Sequence, residues 1–201
     1  MDYLILGFLT GLSLILAIGA QNVFVIEQGL KKQYVFIVCL ICSVSDFLLI
    51  FLGIFLFQYL NNYFTPTVEL IFNILLLIFL LHFIWGKIRT KVSETSFNVD
   101  TKTNNLSSIL VKTLGFTFLN PHVYSDTVFF LGNFSKNLSQ MDKYYFGAGA
   151  AISSFLFFFI LGYLSKYFSK YLKSVKVWKR INYLIILFMS ILALTVLMEI
   201  I

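Results

Sequence analysis

Apolar residues in this chain come in long, nearly unbroken stretches, and the polar residues are gathered between them. Runs near 20 residues are what an α-helix needs to cross a hydrocarbon core of about 30 Å. The pattern predicts six such segments, at about 3–28, 33–59, 66–86, 109–133, 144–165 and 181–198. The first is uncharged from Tyr3 to Ile26, and the second is interrupted only by Asp46. The third carries Glu69 near its start, the fourth contains Asn120-Pro121 and Asp126, and the fifth is uncharged. No alternation of apolar and polar residues competes as a strand. The polar stretch 87–108, with Thr, Asn and Ser in its second half, reads as a flexible cytoplasmic loop between two halves of one transmembrane domain, 1–201.

Composition turns that pattern into a fold class. The chain is 59% hydrophobic and 12% charged, with a mean hydropathy of +0.89, whereas soluble domains hold about 45–50% apolar and 25% charged residues. A water-soluble protein is excluded; the expectation is an all-α integral membrane protein. The net charge of +6 would suggest nucleic acid in a soluble chain, but the placement of the charges gives them another role. All of the 15 basic residues except Lys136 and Lys143 fall in or beside loops 1–2, 3–4 and 5–6. Short cytoplasmic loops carry excess Lys and Arg, so those loops are expected in the cytoplasm and both termini outside. Loss of the fourth crossing would put two basic loops on opposite sides. The triplet Ala17-Ile18-Gly19 imitates a signal-peptide cleavage site, but the n-region holds Asp2 and no basic residue, and the apolar run is too long.

Cys39 and Cys42 form a Cys-x-x-Cys, which near a βαβ unit would point to redox chemistry. Here the pair lies inside an apolar run, where burial makes thiols inert. Neither the two cysteines nor the two histidines are spaced as metal ligands. No metal or cofactor is expected, and no nucleic-acid partner.

Two stretches place polar residues at membrane depth: Ala20-Gln21-Asn22-Val23-Phe24-Val25-Ile26-Glu27 and Leu119-Asn120-Pro121-His122-Val123-Tyr124-Ser125-Asp126. They align without a gap, each passing from an amide (Gln21, Asn120) to a carboxylate (Glu27, Asp126) six residues later. Corresponding spans in two three-helix halves are what an inverted repeat produces. Pro121 removes an N–H and disfavours helix at Asn120, and Gly19 weakens its own turn, so the first and fourth helices are expected to break within the bilayer. The freed backbone groups must face protein or a water-filled cavity, and transporters build midplane sites at such breaks. Asp46 sits near the middle of its span, where an acid costs at least about 2.5–3.5 kcal/mol; it needs a partner or a task. Glu27, beside a loop, reads either as interfacial or as a candidate gate. His122 follows the break and is a candidate lining residue. The small residues Gly147 to Ala151, with Ser153 and Ser154, read as a helix-packing face.

At these residues the sequence resembles the LysE/ArgO family of basic amino-acid exporters. The resemblance is carried by Gly19-Ala20-Gln21-Asn22-Val23-Phe24-Val25-Ile26-Glu27-Gln28-Gly29 with Lys31-Lys32, by Ser45-Asp46, by Leu119 to Thr127, and more weakly by Arg180-Ile181-Asn182. It implies export of L-lysine and/or L-arginine across the inner membrane, driven by the proton gradient or membrane potential, with Gln21, Asn22, Asp46, Asn120, Pro121 and Asp126 at the family's motif positions. The family usually has Pro where this chain has Ala20, so the first break must rest on Gly19.

The leading expectation is proton-coupled antiport. Asp46, with Asp126 as partner, would alternately hold a proton and the substrate's cation, while Gln21, Asn22 and Asn120 hold its α-amino group and exposed helix N–H groups its carboxylate. The alternatives are a neutral cargo such as homoserine or threonine on the same scaffold, and a membrane thiol oxidoreductase using Cys39 and Cys42. A bundle this small is also compatible with a homo-oligomer.

Overall fold

Every predicted span is helical, and the first and fourth are divided. The computed structural model describes residues 2–16, 19–60, 65–89, 105–120, 123–169 and 175–200. Along them run α1 (Asp2–Ile15), α2 (Ala20–Lys31), α3 (Val35–Leu60), α4 (Pro66–Arg89) and α5 (Leu106–Phe118), then a π-helical segment (Tyr124–Phe130), α6 (Leu131–Ser135), α7 (Gln140–Phe168) and α8 (Val175–Ile200). No strand occurs among the described residues. Four helices (α3, α4, α7 and α8) are long and apolar enough to cross a bilayer, and α1 with α2 makes a fifth span if the bent pair is counted as one.

Several boundaries differ from the sequence reading. α4 runs to Arg89 and α5 starts at Leu106, so both ends of the predicted 87–108 loop are helical; 90–104 lie outside the described residues. Asn105 caps α5 by accepting from Ser107 N at 3.4 Å. α7 begins four residues before the predicted edge, because Ser139 accepts from Asp142 N and returns its hydroxyl to Asp142 Oδ2 at 2.6 Å, a reciprocal cap that supports an extra turn. The segment 109–133, expected to break at Asn120-Pro121, runs as α5, then the π-helical stretch and α6; the π-helical form of its second part is what the sequence did not indicate.

Close packing is organised by small residues. Gly7 and Gly11, four apart on α1, are both buried. A Cβ on Gly7 would collide with the Phe146 backbone, and one on Gly11 would lie 2.9 Å from Ala150 Cα. From the opposite side a Cβ on Gly149 would collide with Leu4 O. Small-xxx-small spacing of this kind lets membrane helices approach to backbone contact. α7 also receives α2, where a Cβ on Gly29 would meet Gly162 O at 2.5 Å, and α3, where Cys39 Sγ donates to Phe158 O at 3.2 Å. The fifth-span face expected for packing does pack, against α1 and, at Gly147, against α3, while α2 docks further along α7 at Gly162.

Beyond α7, α3 packs against α5, the π-helical segment and α6, and α4 packs against α8. The interior is apolar, with Phe24, Val38, Leu80, Phe116, Phe158 and Met189 in the larger cluster and Ile50, Ile54, Leu131 and Phe146 in the smaller. Outward-facing Leu and Ile side chains, among them Ile5, Leu9, Ile78, Ile160 and Leu184, remain exposed, an apolar exterior of the kind that lipid covers.

Candidate functional site

The first break is built around Gly19. α1 ends at Ile15, α2 restarts at Ala20, and the chain turns by 82° between them. Gly19 precedes α2 in an extended conformation (φ −108°, ψ −178°) and offers no side-chain cap. The first intrahelical bond of α2 is Val23 N to Gly19 O at 3.2 Å, so α2 opens its N-terminal end, where the helix dipole is positive, at the break. The carbonyl left at the end of α1 is satisfied from across the break: Asn22 Nδ2 donates to Ile15 O at 3.1 Å.

The second break repeats this solution. α5 ends at Phe118, and Leu119 N closes onto Gly115 O at 3.0 Å. Tyr124, beyond the break, donates its hydroxyl to Phe118 O at 2.9 Å. In each case a side chain downstream of the interruption satisfies a carbonyl upstream of it, as freed backbone groups in a bilayer require. Pro121 and His122, expected at this break, lie outside the described residues, as do Ala17 and Ile18 at the first.

The two breaks face each other. A Cβ on Gly19 would find one neighbour within reach, Asn120 Nδ2 at 3.9 Å. Between and beside the breaks lies a cavity of about 320 Å³ lined by Gly19, Gln21, Asn22, Asp46, Asn120 and Asp126, together with residues of α1, α4, α7 and α8. That volume falls in the range of about 300–1,000 Å³ found for small-molecule sites. The cavity thus gathers six residues that the sequence singled out from three separate spans.

Asp46 is 5% exposed and accepts a hydrogen bond from Ser154 Oγ on α7 at 2.8 Å. Gln21 is buried, and its Nε2 finds no partner among the described residues; with Thr117 it stands beside the Cys42 thiol. Asp126 is half-buried and sits on the π-helical segment, a distortion common at functional sites. Thr127 on the same segment, Ser154 and Thr195 complete the polar lining; the sequence reading had set Ser154 among packing residues and passed over the two threonines.

Glu27 is not part of this cavity. It is 2% exposed and ion-paired with Lys31 one turn on, so its carboxylate is covered by protein. Cys39 and Cys42 are free thiols, both fully buried. No cluster of His, Cys, Asp and Glu among the described residues holds metal-site geometry.

Apolar helices of spanning length, two facing interruptions and a cavity between them that is lined in part by carboxylates and amides define a multi-pass membrane transport protein. The chain belongs to the LysE type translocator family, which matches residues 12–200. It is 34% identical over 184 residues to the arginine exporter protein ArgO of Pectobacterium atrosepticum, covering 89% of this chain and 88% of that one. Its identity to the arginine exporter protein ArgO of Salmonella paratyphi C is 33% over 186 residues, covering 92% and 88%. The corresponding protein of Klebsiella pneumoniae is 34% identical over 182 residues, covering 90% and 86%. No solved structure matches the chain.

Proposed function

We propose that this protein exports basic L-amino acids, arginine foremost and lysine with it, from the cytoplasm across the bacterial inner membrane in exchange for protons. The observation that carries the reading is the cavity, which joins a buried carboxylate, a second carboxylate, three amides and a helix N-terminus at one place. Asp46 binds the cationic end of the substrate or a proton, but not both, and Asp126 assists it. Gln21 and Asn120 meet the α-amino group. The positive dipole end of α2 meets the α-carboxylate. Asn22 has one donor committed to the break, so its contribution is to hold the two helix ends in position.

Energetics favour antiport. Moving one positive charge outward against an inside-negative potential costs about 2.3 kcal/mol per 100 mV, whereas exchange of one Arg⁺ for one H⁺ is electrically neutral. The two halves are proposed to be inverted repeats, with loops 1–2, 3–4 and 5–6 in the cytoplasm and both termini outside. Helix contacts support the repeat: α1 and α2 pack on α7 as α5, the π-helical segment and α6 pack on α3, while α3 pairs with α7 and α4 with α8.

The test is efflux of labelled arginine, driven by an imposed pH gradient, from vesicles containing the purified protein. Asp46→Asn should abolish coupled efflux while the protein remains in the membrane. Normal efflux by that variant would refute the assignment of Asp46, and efflux of threonine in place of arginine would move the cargo to the neutral class.

A further inference from the structure

On the side of the cavity toward loop 1–2, the interior holds a cluster of aromatic rings. Phe24 of α2 and Phe116 of α5 are 1% and 0% exposed, and their ring centroids lie 5.1 Å apart. Phe83 of α4 stacks edge-on to Phe116 at 5.0 Å and to Phe24 at 6.4 Å. One turn from Phe24 in one direction is Gln21, in the cavity; one turn in the other is Glu27. α5 runs through the same layers in the reverse order, with Asn120 beyond Phe116 at the cavity and Lys112 one turn before it.

The layer beyond the rings holds three charges. Glu27 is 2% exposed and pairs with Lys31, whose side chain is 31% exposed. Lys112 is within electrostatic reach of both. Desolvating a carboxylate this completely is costly, and a pair with no task beyond the surface would sit in water, where its charges need no burial. The Lys31 ammonium is attached by a flexible stem to the last turn of α2, so it can leave Glu27 by changing rotamers. A substrate ammonium or guanidinium can then take its place beside the Glu27 carboxylate, with the Lys112 cation within electrostatic reach for a substrate carboxylate.

We propose that Glu27 and Lys112 form a second amino-acid site, on the cytoplasmic side of the Phe24–Phe83–Phe116 layer. The Glu27 carboxylate there takes a cationic group of the substrate, Lys112 meets the substrate carboxylate, and Lys31 occupies the position of the cation until substrate displaces it. This inference rests on the proposed export of basic amino acids and on the cytoplasmic placement of loop 1–2. It gives the substrate a binding position before the rings part.

The test is arginine uptake into everted membrane vesicles, whose outer face is the cytoplasmic one, with uptake normalised to the protein present. Glu27→Gln should raise the half-saturating arginine concentration about tenfold with little change in maximal rate, and Lys31→Gln, which removes the competing ammonium, should lower it several-fold. An unchanged half-saturation in Glu27→Gln, or a rise of the same size in both variants, overturns the site. Should Glu27→Gln fail to accumulate, Glu27→Asp decides: a raised half-saturation supports the site and a normal one removes it. These results are separable from failure of the export reading, in which wild-type vesicles take up no arginine or Asp46→Asn vesicles take it up normally.

Discussion

Ser154 donates its hydroxyl to Asp46 Oδ2 at 2.8 Å, tying α7 to α3 at the wall of the cavity. Both residues are almost fully buried, so the bond is shielded from water and competes with whatever else Asp46 binds. Hydrogen bonds to charged groups contribute about 1.5–3 kcal/mol. Ser154→Ala should therefore lower coupled arginine efflux about tenfold, equivalent to about 1.4 kcal/mol, without loss of protein from the membrane. Efflux equal to that of the unaltered protein would show that Ser154 only packs.

The two bridged breaks make a second expectation. Asn22→Ala removes the donor to Ile15 O, and Tyr124→Phe removes the donor to Phe118 O. Each leaves a carbonyl unsatisfied, at a cost of about 1–3 kcal/mol, so each should lower the thermal unfolding midpoint in detergent by a similar amount. A shift in one variant and none in the other would break the equivalence of the two interruptions.

How much of this was legible in the sequence depended on whether a residue contradicted its surroundings. Asp46, Gln21, Asn22, Asn120 and Asp126 stood out because polar groups within apolar runs need a reason, and all of them line one cavity. Ser154 did not stand out, since serine among glycines and alanines is what a packing face contains; its bond to Asp46 joins residues 108 apart, and no local pattern encodes that meeting. The burial of Glu27 was not legible either, because it comes from neighbouring helices rather than from its position along the chain. The π-helical stretch at Tyr124–Phe130 left no mark beyond the proline ahead of it. The extra turn of α7 was legible in Ser139-Gln140-Met141-Asp142, a capping pattern that was passed over because hydropathy set the boundary.

Glycine substitutions separate packing from propensity. A Cβ at Gly149 would collide with Leu4 O and lie 2.8 Å from Phe8 N, whereas one at Gly86 meets nothing within 4 Å. Overpacking costs about 1–3 kcal/mol, so Gly149→Ala should unfold at lower temperature. Gly86→Ala should be neutral or more stable by up to about 1 kcal/mol, because alanine is the better helix former. Equal effects at the two positions would mean that α1 does not dock on α7 as described.

Orientation is the expectation on which the direction of transport depends, and the thiols make it measurable. Cys39 and Cys42 are buried and unpaired with each other, and if they have no redox duty, the Cys39→Ser/Cys42→Ser protein should retain arginine efflux with or without added reductant. In that background, cysteines placed at the exposed positions Asn137 and Lys32 report on opposite faces. Asn137 lies between Lys136 and Lys143, the two basic residues outside the cytoplasmic set, and Lys32 lies in loop 1–2. A membrane-impermeant maleimide should label Asn137→Cys in intact cells and Lys32→Cys only after permeabilisation. The reverse pattern would invert the protein in the membrane. Glu27 would then lie on the outer side of the aromatic layer, where it meets substrate after the crossing instead of before it.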